Sequence, residues 1–228
     1  MFSKLNRPKA MRTICIETTA DGSPTLFLPE MDEHYHSVHG AVQESRHVYI
    51  EAGFNQCFKN PVHVLELGMG AGLNVLLTAM EAERRGVQVR YTALEKYPLP
   101  EEIVGKLHYF AEKNEWFQKI HSMEWEKAAT LTPFFTLQKI CTDFRDFSFP
   151  EKYDVVYYDA FAPDKQAEVW SQELFDHLFR AMHPAGFLTT YCAKGHIRRM
   201  MQQAGFVVER IAGAAGKREM LRGRVYQK

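Results

Sequence analysis

The chain has 228 residues, 46% of them hydrophobic, enough for one α/β domain with a small extension and a sizeable core. No apolar run approaches the roughly 20 residues that span a bilayer, and the start lacks a secretory apolar segment, so a membrane or exported protein is not expected and a cytoplasmic one is. The 28 basic and 28 acidic side chains balance, which argues against uniform non-specific nucleic-acid binding, and Cys15, Cys57, Cys141 and Cys192 contain no C-x-x-C, which argues against a zinc knuckle or a disulfide framework.

Residues 1–60 read as an extension made of a hairpin and helices, and 61–228 as a Rossmann-like domain. Thr13 to Pro29 alternates, with Ile14, Ile16, Leu26 and Leu28 flanking Ala20-Asp21-Gly22-Ser23. That pattern predicts a β-hairpin outside the main sheet. Met31 to Phe58 predicts one or two helices. His34, His36 and His39 crowd together there, but no carboxylate or thiol completes a ligand set. They read as a polar wall of a ligand pocket and not as a metal site.

Val62 to Leu67 is a short apolar run ending in Glu66-Leu67, followed by glycine at 68, 70 and 72. It predicts a strand covered on both faces. A helix should begin near Gly72, because Leu73, Leu76, Leu77 and Met80 recur at helical spacing, and Gly86 should stop it. Glycines in such a turn permit positive φ and close approach of a ligand, and the N–H groups of the helix start favour a polar or anionic ligand end. A dinucleotide fingerprint fails at Leu73, where a small residue is needed. Glu66-x-Gly68-x-Gly70-x-Gly72 resembles instead the first motif of class I methyltransferases, which bind S-adenosylmethionine at this turn.

Val87 to Leu94 predicts the next strand. It ends at Glu95, whose two oxygens suit two ribose hydroxyls. Pro98 to Thr132 predicts two helices, with Trp116, Phe117 and Trp125 in the core. Phe135 to Cys141 is a strand leading to Thr142-Asp143-Phe144-Arg145-Asp146. Asp143 stands where many adenosyl-binding folds accept from the adenine amino group; Asp146 is the alternative, and either also suits a turn or helix cap. Tyr153 to Asp159 is a further strand that delivers Asp159 to the carboxyl edge. Glu66, Glu95, Asp143 and Asp159 should therefore converge on one crevice. A helix over Glu168–Met182, a strand over Phe187–Cys192, a helix over Gly195–Ala204, then strands over Phe206–Ile211 and Glu219–Val225 complete a mostly parallel seven-stranded sheet with an antiparallel last strand.

At Asp159-Ala160-Phe161-Ala162-Pro163, Trp170, Leu174-Phe175, Cys192-Ala193-Lys194-Gly195, Arg198-Arg199, Ala204-Gly205-Phe206 and Gly216-Lys217-Arg218-Glu219-Met220-Leu221 the sequence resembles a known family. It is similar to the methyltransferase domain of the bacterial tRNA wobble-uridine family MnmC, a domain that also occurs alone as MnmD. Tyr35-His36-Ser37 and Glu44-Ser45 are similar as well. The resemblance implies S-adenosylmethionine as methyl donor and methylation of the aminomethyl nitrogen of 5-aminomethyl-2-thiouridine in tRNA. It places Gly68, Gly70 and Gly72 at the cofactor's methionine end, Asn74 or Glu66 on its polar groups, Glu95 on the ribose, Asp143 on the adenine and Asp159 on the acceptor amine.

Two-domain relatives carry a flavin-dependent domain after the methyltransferase; this chain ends at Lys228, so no flavin is expected, and with no completed ligand set around the histidines no metal is expected either. Lys194, Arg198, Arg199, Lys217 and Arg218 are candidates for tRNA phosphates. Lys4, Arg7, Lys9 and Arg12 make the other end basic too, and the two ends form either a phosphate-binding face or solvated tails. An aminopropyltransferase of the spermidine-synthase type, or a small-amine methyltransferase, is the alternative. The former shares the sulfonium donor and the acid after a similar strand, but its usual G-G-G-x-G-G turn is missing. A nicotinamide dehydrogenase shares the fold but needs a hydride-transfer constellation that is not evident here.

Overall fold

The computed structural model describes residues 13–214 and 216–226. Lys4, Arg7, Lys9, Arg12 and Lys228, which carry much of the expected basic character of the two ends, lie outside the described residues.

A small sheet comes first. Strands β1 (Cys15–Thr18) and β2 (Pro24–Leu28) pair antiparallel with Cys15 opposite Phe27. Gly22, at φ 82°, turns the hairpin, and the Asp21 carboxylate accepts from Ser23 N at 3.0 Å and Thr19 Oγ1 at 2.7 Å. The chain then departs from the helical expectation for Met31 to Phe58: Glu33–His34 forms β3 against β2, with the His34 ring 4.6 Å from that of Phe27. Helix α1 (Ala41–Ser45) starts only after Gly40 and widens into a π-helical turn over Arg46–Glu51. That turn buries Val48, Tyr49 and Ile50 against the main domain.

The large sheet contains β4 (Val62–Leu67), β5 (Val89–Glu95), β6 (Ala129–Thr132), β7 (Phe135–Cys141), β8 (Tyr153–Tyr158), β9 (Met182–Thr190), β10 (Val207–Ala212) and β11 (Glu219–Arg224). Its order is β10-β11-β9-β8-β4-β5-β7-β6. Strands β9, β8, β4, β5 and β7 run parallel, and β11 inserts antiparallel between β9 and β10. Eight strands replace the seven expected, because residues assigned to a second helix after Pro98 instead form β6, an antiparallel edge folded back on β7 through Pro133. A four-residue strand with two threonines is too short for its alternation to stand out.

Period-two alternation explains the two layers. Val62 and Val64 face the cluster built with α2 (Leu73–Arg85), α3 (Glu101–Val104) and α4 (Asn114–Ser122), whereas Leu65 and Leu67 face α5 (Gln172–Arg180) and α6 (Gly195–Ala204). Order reverses between β4 and β8, so the crevice opens at their carboxyl ends.

The foot of the same strands carries a buried charge. Asp154 accepts from Lys59 Nζ at 2.5 Å and from the backbone N–H of His63 at 2.9 Å. Asp154→Ala strands that N–H beside the sheet and is expected to lower unfolding free energy by about 1–3 kcal/mol in urea titrations. A loss below about 0.5 kcal/mol would show that the pair contributes little.

Candidate active site

The glycine turn after β4 is held by its neighbours: Gly68 and Met69 both donate to Leu94 O at 3.0 Å, and Gly70 N donates to Glu95 Oε2 at 2.9 Å. Gly68 has φ 89°, and a Cβ there would lie 2.5 Å from the Asp159 carbonyl oxygen. At Gly70, φ 51°, a Cβ would lie 2.9 Å from Tyr35 Cδ1. Both glycines line one cleft at the carboxyl edge of the sheet, where their bare backbone lets a ligand approach closely. Gly72, φ 75°, caps α2 and does not line the cleft; a Cβ there would lie 3.0 Å from His121 Nε2 and 3.3 Å from Met69 Cε.

Glu95, Lys96, Tyr97 and Phe144 line one end of the cleft, and Asp159, Phe161 and Tyr191 the other. Tyr35 and His36 bring the N-terminal segment onto its wall. Glu95 offers a carboxylate at the end of β5 and the Phe144 ring lines the same cleft, a combination that suits a ribose diol and a flat apolar base. With the close-packed glycine turn at Gly68 and Gly70, these residues fit an adenosyl cofactor.

Asp159 follows β8 and is fixed on both oxygens: Tyr49 Oη donates to Oδ1 at 2.6 Å and Asn74 Nδ2 to Oδ2 at 2.8 Å. Burial pushes its pKa up to about 7, although the bonds from Tyr49 and Asn74 pull it back. Nearby Glu44 raises it and Lys217 lowers it. Removing the Tyr49 hydroxyl removes the larger of the two hydrogen-bond effects that favour ionised Asp159. Tyr49→Phe is therefore expected to shift the acidic limb of the rate profile to higher pH, costing more activity at pH 6.5 than at pH 8.5. An equal loss at both values would detach Tyr49 from the ionisation of Asp159.

Glu66 and Asn74 stand elsewhere than expected. They are 0% and 2% exposed, and neither lines the cleft. Asn74 Nδ2 gives one bond to Glu66 Oε1 at 2.9 Å and the other to Asp159, so the pair sits behind Asp159 and orients it. Burial holds the Glu66 carboxyl well above the usual range.

Asp143 is likewise behind the wall. It accepts from Arg145 N and Nε at 3.0 Å and Nη2 at 2.6 Å, and pairs with Lys96 Nζ at 2.9 Å. Those cations hold its pKa far below the carboxylate range. The turn reading describes this residue, while its neighbour Phe144 lines the cleft; Asp146 is exposed.

Of the basic candidates, Arg199 and Arg218 are exposed and Arg198 is half-buried. Lys194 pairs with Asp164. Lys217 Nζ sits 2.6 Å from Glu44 Oε1 and 4.1 Å above the ring of Tyr191, a residue that lines the cleft. Two of the three histidines do form a polar wall: His34, paired with Glu17 at 2.9 Å, and His36 both line the cleft, whereas His39 packs on Gly216. Among the described residues no group of three metal-ligating side chains comes together. No helix among them is long and apolar enough to cross a membrane.

An open, mostly parallel sheet with a glycine cradle after β4, an acid ending β5 and a second acid in the cleft after β8 defines a Rossmann-like fold of the class I methyltransferase type. The chain belongs to the S-adenosyl-L-methionine-dependent methyltransferases, whose family model matches residues 108–226. Among solved structures it is similar to MnmC2 from Aquifex aeolicus, at 21% identity and a TM-score of 0.78, over 97% of this chain and 74% of that one. Spermidine synthase from Thermotoga maritima is also similar, at 9% identity and a TM-score of 0.53, over 98% and 82% of the two chains. At these identities the likeness concerns the fold.

Proposed function

We propose that this chain methylates the aminomethyl nitrogen of 5-aminomethyl-2-thiouridine at the wobble position of tRNA. The observation that carries the reading is Asp159, a carboxylate fixed on both oxygens at the cleft and poised near neutrality. Bound S-adenosylmethionine supplies a methyl group already electrophilic on sulfonium. The protein's task is alignment and proton handling. An alkylammonium has no lone pair, so ionised Asp159 accepts one of its protons, and the freed nitrogen pair is held in line with the methyl. Tyr49 and Asn74 keep the carboxylate in place while it does so. Gly68, Gly70, Glu95 and Phe144 hold the donor, and Tyr191 and Phe161 flank the acceptor. Sequence resemblance to the MnmC domain supports the choice of acceptor. In this reading the extension, residues 1–60, completes the substrate end of the methyltransferase domain, residues 61–228, and the protein works in the cytoplasm.

Arg198, Arg199 and Arg218, with Lys194, are assigned to tRNA phosphates. Affinity for tRNA should then fall at least tenfold between about 50 and 200 mM salt in filter binding. A flat response would remove these side chains from RNA recognition. Acceptor choice tests the reading itself: tRNA lacking the wobble methyl should be methylated, and putrescine offered with the decarboxylated donor should not be aminopropylated. Turnover of putrescine alone would establish the aminopropyltransferase reading instead.

A further inference from the structure

Glu95 holds the glycine turn from the sheet side, and the opposite side is held by a residue that the proposed reaction leaves unused. We infer that His121 is a positioning residue for the methyl donor: its ring N–H pins the Ala71 carbonyl and so keeps the turn in the shape that receives the donor. This deepens the donor half of the reading given above and stands apart from the choice of acceptor.

Gly68, Gly70 and Gly72 sit at φ 89°, 51° and 75°. Glycine has the most backbone freedom to lose, so a turn with three of them takes its shape from bonds to its neighbours. On the sheet side, Gly68 N and Met69 N donate to Leu94 O, and Gly70 N donates to Glu95 Oε2. On the helix side, His121 in the last turn of α4 places Nε2 3.1 Å from Ala71 O. A Cβ at Gly72 would lie 3.0 Å from the same nitrogen, so the ring sits directly against the turn. The bond fixes the peptide between Ala71 and Gly72, the one that leads into α2.

A carbonyl can only accept, so Nε2 carries the ring proton. Burial, opposed by the Ala71 bond and helped by the Lys139 charge, holds the imidazole neutral with a pKa of about 4. The ring is kept in this pose from two directions. It packs edge-on against Phe117, a core residue, with centroids 4.8 Å apart. Its backbone is tied to β7, because His121 O accepts from Lys139 Nζ at 2.7 Å. Lys139 is 1% exposed and its Nζ lies 4.8 Å from the centroid of the Trp125 ring. A cation suits that place, since the last carbonyls of a helix lack helical partners and carry partial negative charge. A chain of contacts thus runs from Lys139 through the end of α4 to the donor turn.

The test compares wild type with His121→Leu, which cannot donate, and His121→Gln, whose amide nitrogen reaches about as far as Nε2. Calorimetric titration of S-adenosylhomocysteine is combined with amide hydrogen exchange of the ligand-free proteins. His121→Leu should bind S-adenosylhomocysteine about 10- to 50-fold more weakly, the order expected when a carbonyl loses its partner in a packed site. Exchange over Gly70 to Leu73 should speed up at least about fivefold while β8 is unchanged, because the loss is local to the turn. His121→Gln should stay within about threefold of wild type in both measurements. A merely structural role would speed exchange in β8 together with the turn and would not be rescued by Gln. His121→Met, unbranched and adaptable, replaces the Leu variant should that one fail to fold. A wild type that binds S-adenosylhomocysteine with His121→Leu within twofold of it, or a Gln variant as weak as the Leu one, would overturn the inference alone. A wild type that does not bind S-adenosylhomocysteine would overturn the donor reading, and this inference with it.

Discussion

Asp159→Asn is expected to lower kcat for methyl transfer by about 10²- to 10⁴-fold, the range for losing a positioned acid–base group, while donor affinity changes less than threefold. Asn preserves the shape and can still accept from Tyr49, but it cannot take a proton from the acceptor ammonium. The same substitution should make the protein more stable at neutral pH. Asp159 has a folded pKa of about 7 against an ordinary value near 3.8, so the folded state binds its proton more tightly. Its contribution to stability is full below the unfolded value and is lost as pH rises through about 7. The variant lacks that loss, so its advantage should grow from negligible near pH 4 to about 1–3 kcal/mol at pH 8 in chemical denaturation. A variant with near-normal turnover, or one destabilised at pH 8, would remove Asp159 from the role given to it.

Gly68→Ala should be the most damaging change in the donor site. A Cβ there would come 2.5 Å from the Asp159 carbonyl oxygen, a backbone atom locked by Asp159 N donating to Leu67 O at 3.0 Å. The left-handed φ of 89° adds its own strain. The expected result is at least 100-fold weaker binding of S-adenosylhomocysteine and a stability loss of about 2–4 kcal/mol. Gly86→Ala is the control. Its φ is 63° but nothing lies within 4 Å of the added methyl, so it should cost about 1 kcal/mol and leave binding alone. Equal behaviour of the two variants in thermal melts and calorimetry would mean that the turn is an ordinary strand-to-helix connection.

Most of the fold was legible because its elements are strongly patterned. Phe135–Cys141 and Gly195–Ala204 match their expected limits, since alternation, helical periodicity and glycine stops are local signals. Strand β6 and the short β3 were not legible; each is held by pairing with a distant or longer neighbour rather than by its own pattern. The site divides in the same way. Strand ends put Glu95 and Asp159 at the cleft, as expected of acids at the carboxyl edge. Side-chain partners eight to 110 positions apart decided the rest: Asn74 turned Glu66 into a support for Asp159, and Tyr49 reached Asp159 from the extension. One signal was available for Asp143. An Asp two residues before an Arg forms a local ion pair readily, and that pairing marks the turn. For Lys217, nothing local indicated a buried partner as remote as Glu44.

The most direct measurement is transfer from methyl-labelled S-adenosylmethionine to tRNA isolated from cells that lack wobble methylation, followed by digestion and identification of the labelled nucleoside. The account predicts label in 5-methylaminomethyl-2-thiouridine, abolished by Asp159→Asn. Label on any other nucleoside, or tight donor binding with no transfer to tRNA, would contradict it.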